Sequence, residues 1–264
     1  MRYSEVAWKT KKEAPKDEEA INAQLLLRAG FVDKVMAGVY TFLPLGLRVL
    51  QKIQAIIRKE MEAVGGKELL MPSLHPKANW EKSGRIDAYD SLFKFTSFYS
   101  KIDYVLGPTH EEIITPLAKK YIQSYKDLPL YLFQIQNKFR DEKRAKSGLL
   151  RSREFLMKDL YSFHKDEEDL DRYYEKIKKT YQKIFARVEI DNATHLTFAS
   201  GGTFAKYSHE FQTITPAGED TIHICEACGV AINEEIMKEH TECPECGKNK
   251  FTSAKAIEVG NIFK

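Results

Sequence analysis

Cysteine is missing from most of this chain. All four stand at positions 225, 228, 243 and 246, and the rest of the 264 residues have none. A secreted fold held by disulfides would spread its cysteines along the sequence, so the clustering excludes that class and points to a metal. Long apolar runs are also lacking. No stretch reaches the ~18 residues of a membrane span, and the opening MRYSEVAWKTKKEAP has no apolar core of a secretory signal. No membrane partner and a cytoplasmic location are expected. Neither GxxxxGK(S/T) nor GxGxxG occurs, which removes P-loop ATPases and Rossmann dehydrogenases. Charge is nearly balanced, 41 Lys and Arg against 38 Asp and Glu, so composition alone does not argue for nucleic acid. No internal repeat or low-complexity segment stands out. What is present, 43% hydrophobic and 30% charged residues, describes a soluble globular chain with one core, or one domain carrying an insertion.

Periodicity supplies the elements. Leu50, Ile53, Ile57, Met61 and Val64 recur at helical spacing over 47–64, and Gly65-Gly66 ends that helix. Residues 67–72 read as a short apolar strand, 103–106 and 130–136 as buried strands, and 110–125 as a helix interrupted by Pro116. Residues 166–188 form a surface helix with acids in its first turn and bases later. Strand-like runs follow at 195–199, 209–215 and 221–225. The elements lack a regular βαβ beat, so an α+β fold is expected, with a mixed, mainly antiparallel sheet flanked by helices.

The stretch NKFRDEKRAKSGLLRSREFLMKDLYSF, residues 137–163, carries the most chemistry. Phe139-Arg140-x-Glu142 precedes a basic loop that holds Lys143, Arg144 and Lys146, then Arg151-x-x-x-Phe155. A guanidinium grips an α-phosphate with a planar fork of donors. A carboxylate two residues on shares the strand face and can accept from an adenine amino group. A second arginine reaches the outer phosphates, and an aromatic ring stacks on the base. A solvated basic loop between two strands explains the charges but not their fixed order. The arrangement resembles motif 2 of class II aminoacyl-tRNA synthetases, in its prolyl-tRNA synthetase version. The helix-Gly-strand passage ending at Met71-Pro72 resembles their motif 1, which builds a dimer interface.

Gly107-Pro108-Thr109-His110-Glu111-Glu112 is similar to the proline-binding segment of the same family. A capping box from Thr109 to Glu112 accounts for two of these residues, and leaves Glu111 unexplained. The resemblance implies that Thr109 and Glu111 hold the secondary ammonium of proline, Arg140 its carboxylate, and Phe163 and His164 the wall around its ring. It implies ATP and Mg²⁺, with Arg140, Glu142, Arg151 and Phe155 on the nucleotide and Arg140 as the catalytic group. The implied partners are proline, ATP, tRNA-Pro and a second copy of the chain. Gly201-Gly202 and Ser208-His209-Glu210-Phe211 resemble a further family segment, with a longer spacer (TFAKY) than the family form. His209 and Glu210 are weak site candidates.

Cys225-x-x-Cys228 and Cys243-x-x-Cys246 have the knuckle spacing of a Cys₄ zinc ribbon. No ligand is left for an open coordination position, so a structural Zn²⁺ is expected. In the family, a large editing domain often lies between a GED…AAN-E segment and an EVGHIF strand. Here 218–220 and 231–235 are followed within about two dozen residues by Glu258-Val259-Gly260-Asn261-Ile262-Phe263. The resemblance therefore implies a core over 1–221, a small zinc-ribbon insertion over 222–254 in place of editing, and a return strand over 255–264. Asn261 stands where the family pattern has His. No GxGxxR core of motif 3 occurs within the 264 residues, and the chain is expected to lack an anticodon-binding domain. The expectation is a proline–tRNA ligase catalytic core that is incomplete or weakly active alone. The alternative is a non-catalytic, synthetase-derived fragment or paralogue that binds RNA or protein.

Overall fold

A computed structural model describes all residues except Met1, Val6, Ala7, Asp17, Arg144, Lys146 and 202–205. Arg144 and Lys146 of the basic loop, and Gly202, therefore lie outside the described residues. The chain divides into two compact units, Met1–Leu170 and Asp171–Lys264.

The first unit opens with α1 (Ile21–Arg28), the antiparallel pair β1 (Val32–Met36) and β2 (Val39–Phe42), and α2 (Pro44–Ala63). Helix α2 buries Met61 and ends in a Schellman turn. Gly65, at φ 94°, donates to Glu62 O, and Gly66 to Met61 O at 3.0 Å. The strand expected over 67–72 is shorter: only β3 (Lys67–Glu68) pairs, parallel to a later strand. Next come β4 (Leu74–Pro76), α3 (Lys77–Lys82), α4 (Arg85–Ala88), β5 (Phe93–Thr96) and β6 (Asp103–Leu106), with β6 central in an antiparallel sheet. Trp80, Leu92 and Val105 form its core.

Helix α5 (Glu111–Tyr121) contains Pro116. Proline has no N–H for the carbonyl four residues back, and the Asn79 amide donates to that carbonyl, Glu112 O, at 3.0 Å instead. A long hairpin follows, β7 (Leu130–Phe139) and β8 (Glu154–Phe163), registered from Leu130↔Phe163 to Phe139↔Glu154.

Helix α6 (Glu167–Arg187) leads into the second unit, where Tyr173, Ile177, Ile184 and Phe185 form its buried stripe. The strands there are β9 (Thr194–Ser200), β10 (Tyr207–Ile214), β11 (Asp220–Cys225), β12 (Ala231–Asn233) and β13 (Phe251–Ile262), with α7 (Glu234–Met237) after β12. They close a barrel in the order β10-β13-β11-β12-β9. Its pairs are antiparallel except β12 with β9. Residues 222–254 supply β12, most of β11 and the start of β13 to this barrel, together with α7; Cys225 ends β11, and Cys228, Cys243 and Cys246 lie outside the strands. The expected α+β, mainly antiparallel class is the one observed.

Candidate functional site

Hairpin β7–β8 sets out the floor of the candidate site. Residues two apart on a strand share a face, and directly paired residues share it across the ladder. Gln134, Gln136 and Lys138 therefore stand beside Asp159, Met157 and Phe155, their register partners. Gln134 and Lys138 are wholly buried. The Lys138 ammonium meets the Asp159 carboxylate and His110 Nδ1. Gln134 also donates to Asp159, at 3.2 Å.

Two buried imidazoles complete this layer. His75 and His110 both donate from Nε2 to Pro72 O, at 3.0 and 3.1 Å, and their rings meet edge to face. His75 Nδ1 accepts from the Trp80 indole, and His110 Nδ1 from Lys138. Each ring thus uses one donor and one acceptor, as a neutral imidazole must. Burial and then the Lys138 charge hold the His110 pKa down to about 3. Burial foremost holds His75 down to about 4. Burial also lowers the Lys138 pKa, and the Asp159 charge opposes the shift.

Thr109, Glu111 and Arg140 stand around this layer. Arg140 follows the last residue of β7, where its N–H donates to Arg153 O at 2.9 Å. Its guanidinium lies over the Phe155 ring, 5.3 Å from the centroid. Its Nε is buried with no hydrogen-bond partner among the described residues. A cation held over an aromatic face with a donor unused is prepared for an anion. Thr109 is buried and donates to Glu111 Oε2. Tyr161, which accepts from the His110 N–H at 3.2 Å, also bonds Thr109. The phenol of Tyr89 senses Arg140, Arg85, Glu111 and Glu142 together, and burial foremost raises its pKa. One phenol thus marks where the expected residues converge.

Three expectations need correction. The capping box is not formed, because Glu112 turns to Ser83 Oγ and Arg85, both at 2.9 Å, and His110 occupies the cap position. Arg140 and Glu142 do not share a strand face, since β7 ends at Phe139 and the Glu142 N–H folds back to Arg140 O. Glu142 pairs instead with Arg151, 3.2 Å apart. His164 does not join Arg140: the two flank opposite ends of the β7–β8 ladder, roughly 30 Å apart at ~3.3 Å per residue. It packs on Tyr131 and bonds Asp169 at 2.9 Å.

Sequence reasoning missed Arg85, Tyr89, Lys138, Asp159 and Tyr161. The signal for three of them was available. Gln134, Gln136 and Lys138 recur every second position in a strand otherwise rich in apolar residues, and Asp159 and Tyr161 do the same in the next strand. Polar residues on the inward face of a buried hairpin mark a site.

In the second unit the four cysteine sulfurs lie within 4.8 Å of one another, with Cys225–Cys246 and Cys228–Cys243 each at 3.6 Å. Tetrahedral Zn–S bonds of ~2.3 Å place sulfurs about 3.8 Å apart, so the donor set fits that ion. Gly229 and Gly247, both at positive φ, close the two turns by donating to Cys225 O and Cys243 O. His209, expected as a weak candidate, bonds the Tyr174 hydroxyl at 2.8 Å. Glu210 is buried among the amides of Gln212, Asn233 and Asn261.

Residues 93–264 match the family described as tRNA synthetase class II core domain (G, H, P, S and T). The chain is 47% identical over 237 residues to the proline–tRNA ligase of Moorella thermoacetica, covering 89% of this chain and 41% of that protein. It is 49% identical over 236 residues to that of Geobacillus thermodenitrificans, with the same two coverages, 89% and 41%. The chain thus spans less than half the length of the curated relatives it matches. In fold it is similar to the Giardia lamblia prolyl-tRNA synthetase in complex with prolyl-adenylate, with a TM-score of 0.64 at 24% identity over 72% of this chain and 40% of that one. It is also similar to the Cryptosporidium parvum prolyl-tRNA synthetase complexed with L-proline and AMP, with a TM-score of 0.63 at 17% identity over 74% and 39%.

Proposed function

Because the chain belongs to the class II core-domain family of tRNA synthetases, we propose that its first unit binds proline and ATP and forms prolyl-adenylate for transfer to tRNA-Pro. The observation that carries this reading is Arg140: a half-buried guanidinium over Phe155 whose buried Nε has no hydrogen-bond partner among the described residues. Near-half identity to proline–tRNA ligases supports proline as the amino acid.

Proline enters as a zwitterion. Glu111 receives the secondary ammonium, and Arg140 the carboxylate. A carboxylate oxygen of proline attacks the α-phosphorus of ATP, an acyl–phosphate bond forms, and pyrophosphate leaves. Arg140 holds the two anionic reactants together and steadies the charge that develops between them. Phe155 supports that fork and offers its ring to adenine, Glu142 accepts from the adenine amino group, and Arg151 reaches the outer phosphates. In this reading the Glu142–Arg151 pair opens to admit the nucleotide. Mg²⁺, when bound with ATP, neutralises the departing phosphates. His164 is not assigned to proline; its place beside Asp169 fits a role in holding the start of α6.

Cys225, Cys228, Cys243 and Cys246 would hold a structural Zn²⁺ in the segment 222–254, inserted between core residues 1–221 and 255–264. Helix α2 leaves Leu47, Val49 and Ile53 exposed, which supports a homodimer through this motif 1 region. No helix of the described residues is long and apolar enough to cross a membrane, in keeping with a cytoplasmic enzyme. Proline-dependent exchange of labelled pyrophosphate into ATP by the full-length gene product tests the activity. Exchange driven by another amino acid and not by proline overturns the substrate.

A further inference from the structure

Arg85 belongs to no motif, yet its side chain is closely held. Its side chain is 13% exposed and its guanidinium lies against two rings, 5.2 Å from the Trp80 centroid and 5.4 Å from that of Tyr89. One amino group, Nη1, spans the adjacent carboxylates at the start of α5: 2.9 Å to Glu112 Oε1 and 3.3 Å to Glu111 Oε2. The Glu112 side chain is 1% exposed, where an unpaired charge would be costly. Glu111 is held on one oxygen only. Its Oε2 takes both Arg85 and Thr109, and no described residue donates to its Oε1.

We propose that Arg85 is a positioning residue for amino-acid recognition, clamping Glu111 by one oxygen so that the other is presented to the substrate ammonium. The inference rests on the functional reading above. Two carboxylates and one guanidinium leave one net negative charge, which a single ammonium neutralises. Lysine replaces the clamp poorly, because a flexible point charge lacks the planar, weakly hydrated group that packs against the Trp80 and Tyr89 rings and fixes Nη1 between the two acids.

The test is calorimetric titration of the full-length protein with proline, and separately with ATP, for the unaltered protein and for Arg85→Lys, Glu112→Gln and Glu111→Gln. Arg85→Lys should weaken proline about tenfold, the equivalent of ~1.4 kcal/mol, with ATP affinity unchanged. Glu112→Gln preserves shape but removes the net charge, so it should weaken proline to a similar degree even if Arg85→Lys fails to fold. In a Glu111→Gln background, Arg85→Lys should add no further loss, since the clamp then holds nothing that binds the ammonium. Unchanged proline affinity in a folded Arg85→Lys or Glu112→Gln protein, or equal losses in both backgrounds, overturns the clamp alone. Absence of proline binding by the unaltered protein overturns the functional reading, and the clamp with it.

Discussion

Arg140 has a buried Nε and Glu210 is buried as a whole, and each meets burial differently. The Arg140 guanidinium lies over Phe155 with its buried Nε unused by any described residue. Arg140→Lys would retain the charge but lose the planar fork. Proline-dependent pyrophosphate exchange should then fall by about 10²–10³-fold, read as kcat/KM, with the fold intact by circular dichroism. Glu210 instead binds its proton more tightly than an exposed carboxyl does. Burial first, then the charges of Glu258 and Asp220, raise its pKa to about 7 against an ordinary 4.5. The folded state binds this proton more tightly than the unfolded state, so Glu210 detracts from stability above pH 7, and the penalty fades as pH falls to 4.5. Glu210→Gln should stabilise the second unit by about 1–3 kcal/mol at pH 8 and by almost nothing near pH 4.5. Denaturant unfolding at the two pH values checks this.

At the scale of elements, the long periodic helices were legible and the site floor was not. The α2 stripe and its Gly65-Gly66 stop emerge from spacing alone, and α6 differs from expectation by one residue at each end. Strand limits were harder, because the stretch after Gly66 reads as apolar while only Lys67 and Glu68 find a ladder partner. Thr109, Glu111 and Arg140 were readable because their order in sequence carries chemistry. Arg85 was not, because its partners are distant in sequence and only packing against Trp80 and Tyr89 brings it to Glu111. His164 failed for a related reason: closeness in sequence to a motif says nothing about which end of a ten-residue strand a side chain serves. The turn from β6 into α5 shows how tightly such a site is built. A Cβ on Gly107 would lie 2.6 Å from the His75 ring, itself boxed in by Trp80 and His110. Gly107→Ala should therefore destabilise the first unit by about 1–3 kcal/mol and weaken proline binding by displacing Thr109. Denaturant midpoints and proline titration read the two effects.

At the scale of the whole molecule, the two units should respond differently to metal removal and to acid. The four cysteine sulfurs lie within 4.8 Å of one another; if they hold the proposed structural zinc, elemental analysis should find about one per chain. Stripping it with a chelator should lower the unfolding temperature of the second unit and leave the first in place. Acid should act the other way round. His75 and His110 titrate at about 4 and about 3 in the folded first unit, against 6.5 when unfolded. The unfolded state thus takes up protons first, and stability is lost as pH falls below 6.5. Each histidine contributes ~1.4 kcal/mol per pH unit in that window, or about 3–4 kcal/mol for the pair between pH 7 and 5. In the second unit, burial, then Lys178, lowers His209 to about 4, which by itself would give the same loss. Glu210 opposes it, because its pKa of about 7 favours the folded state as pH drops toward 4.5. The two slopes cancel between pH 6.5 and 4.5. Hydrogen exchange followed at pH 7, 6 and 5, corrected for the intrinsic rate, should show protection falling in β7, β8 and α5 while β10 and β13 hold steady. In Glu210→Gln protein the compensation is gone, and the barrel should then lose protection with acid at the slope of one histidine. Parallel losses in both units of the unaltered protein would contradict the opposed protonation of His209 and Glu210.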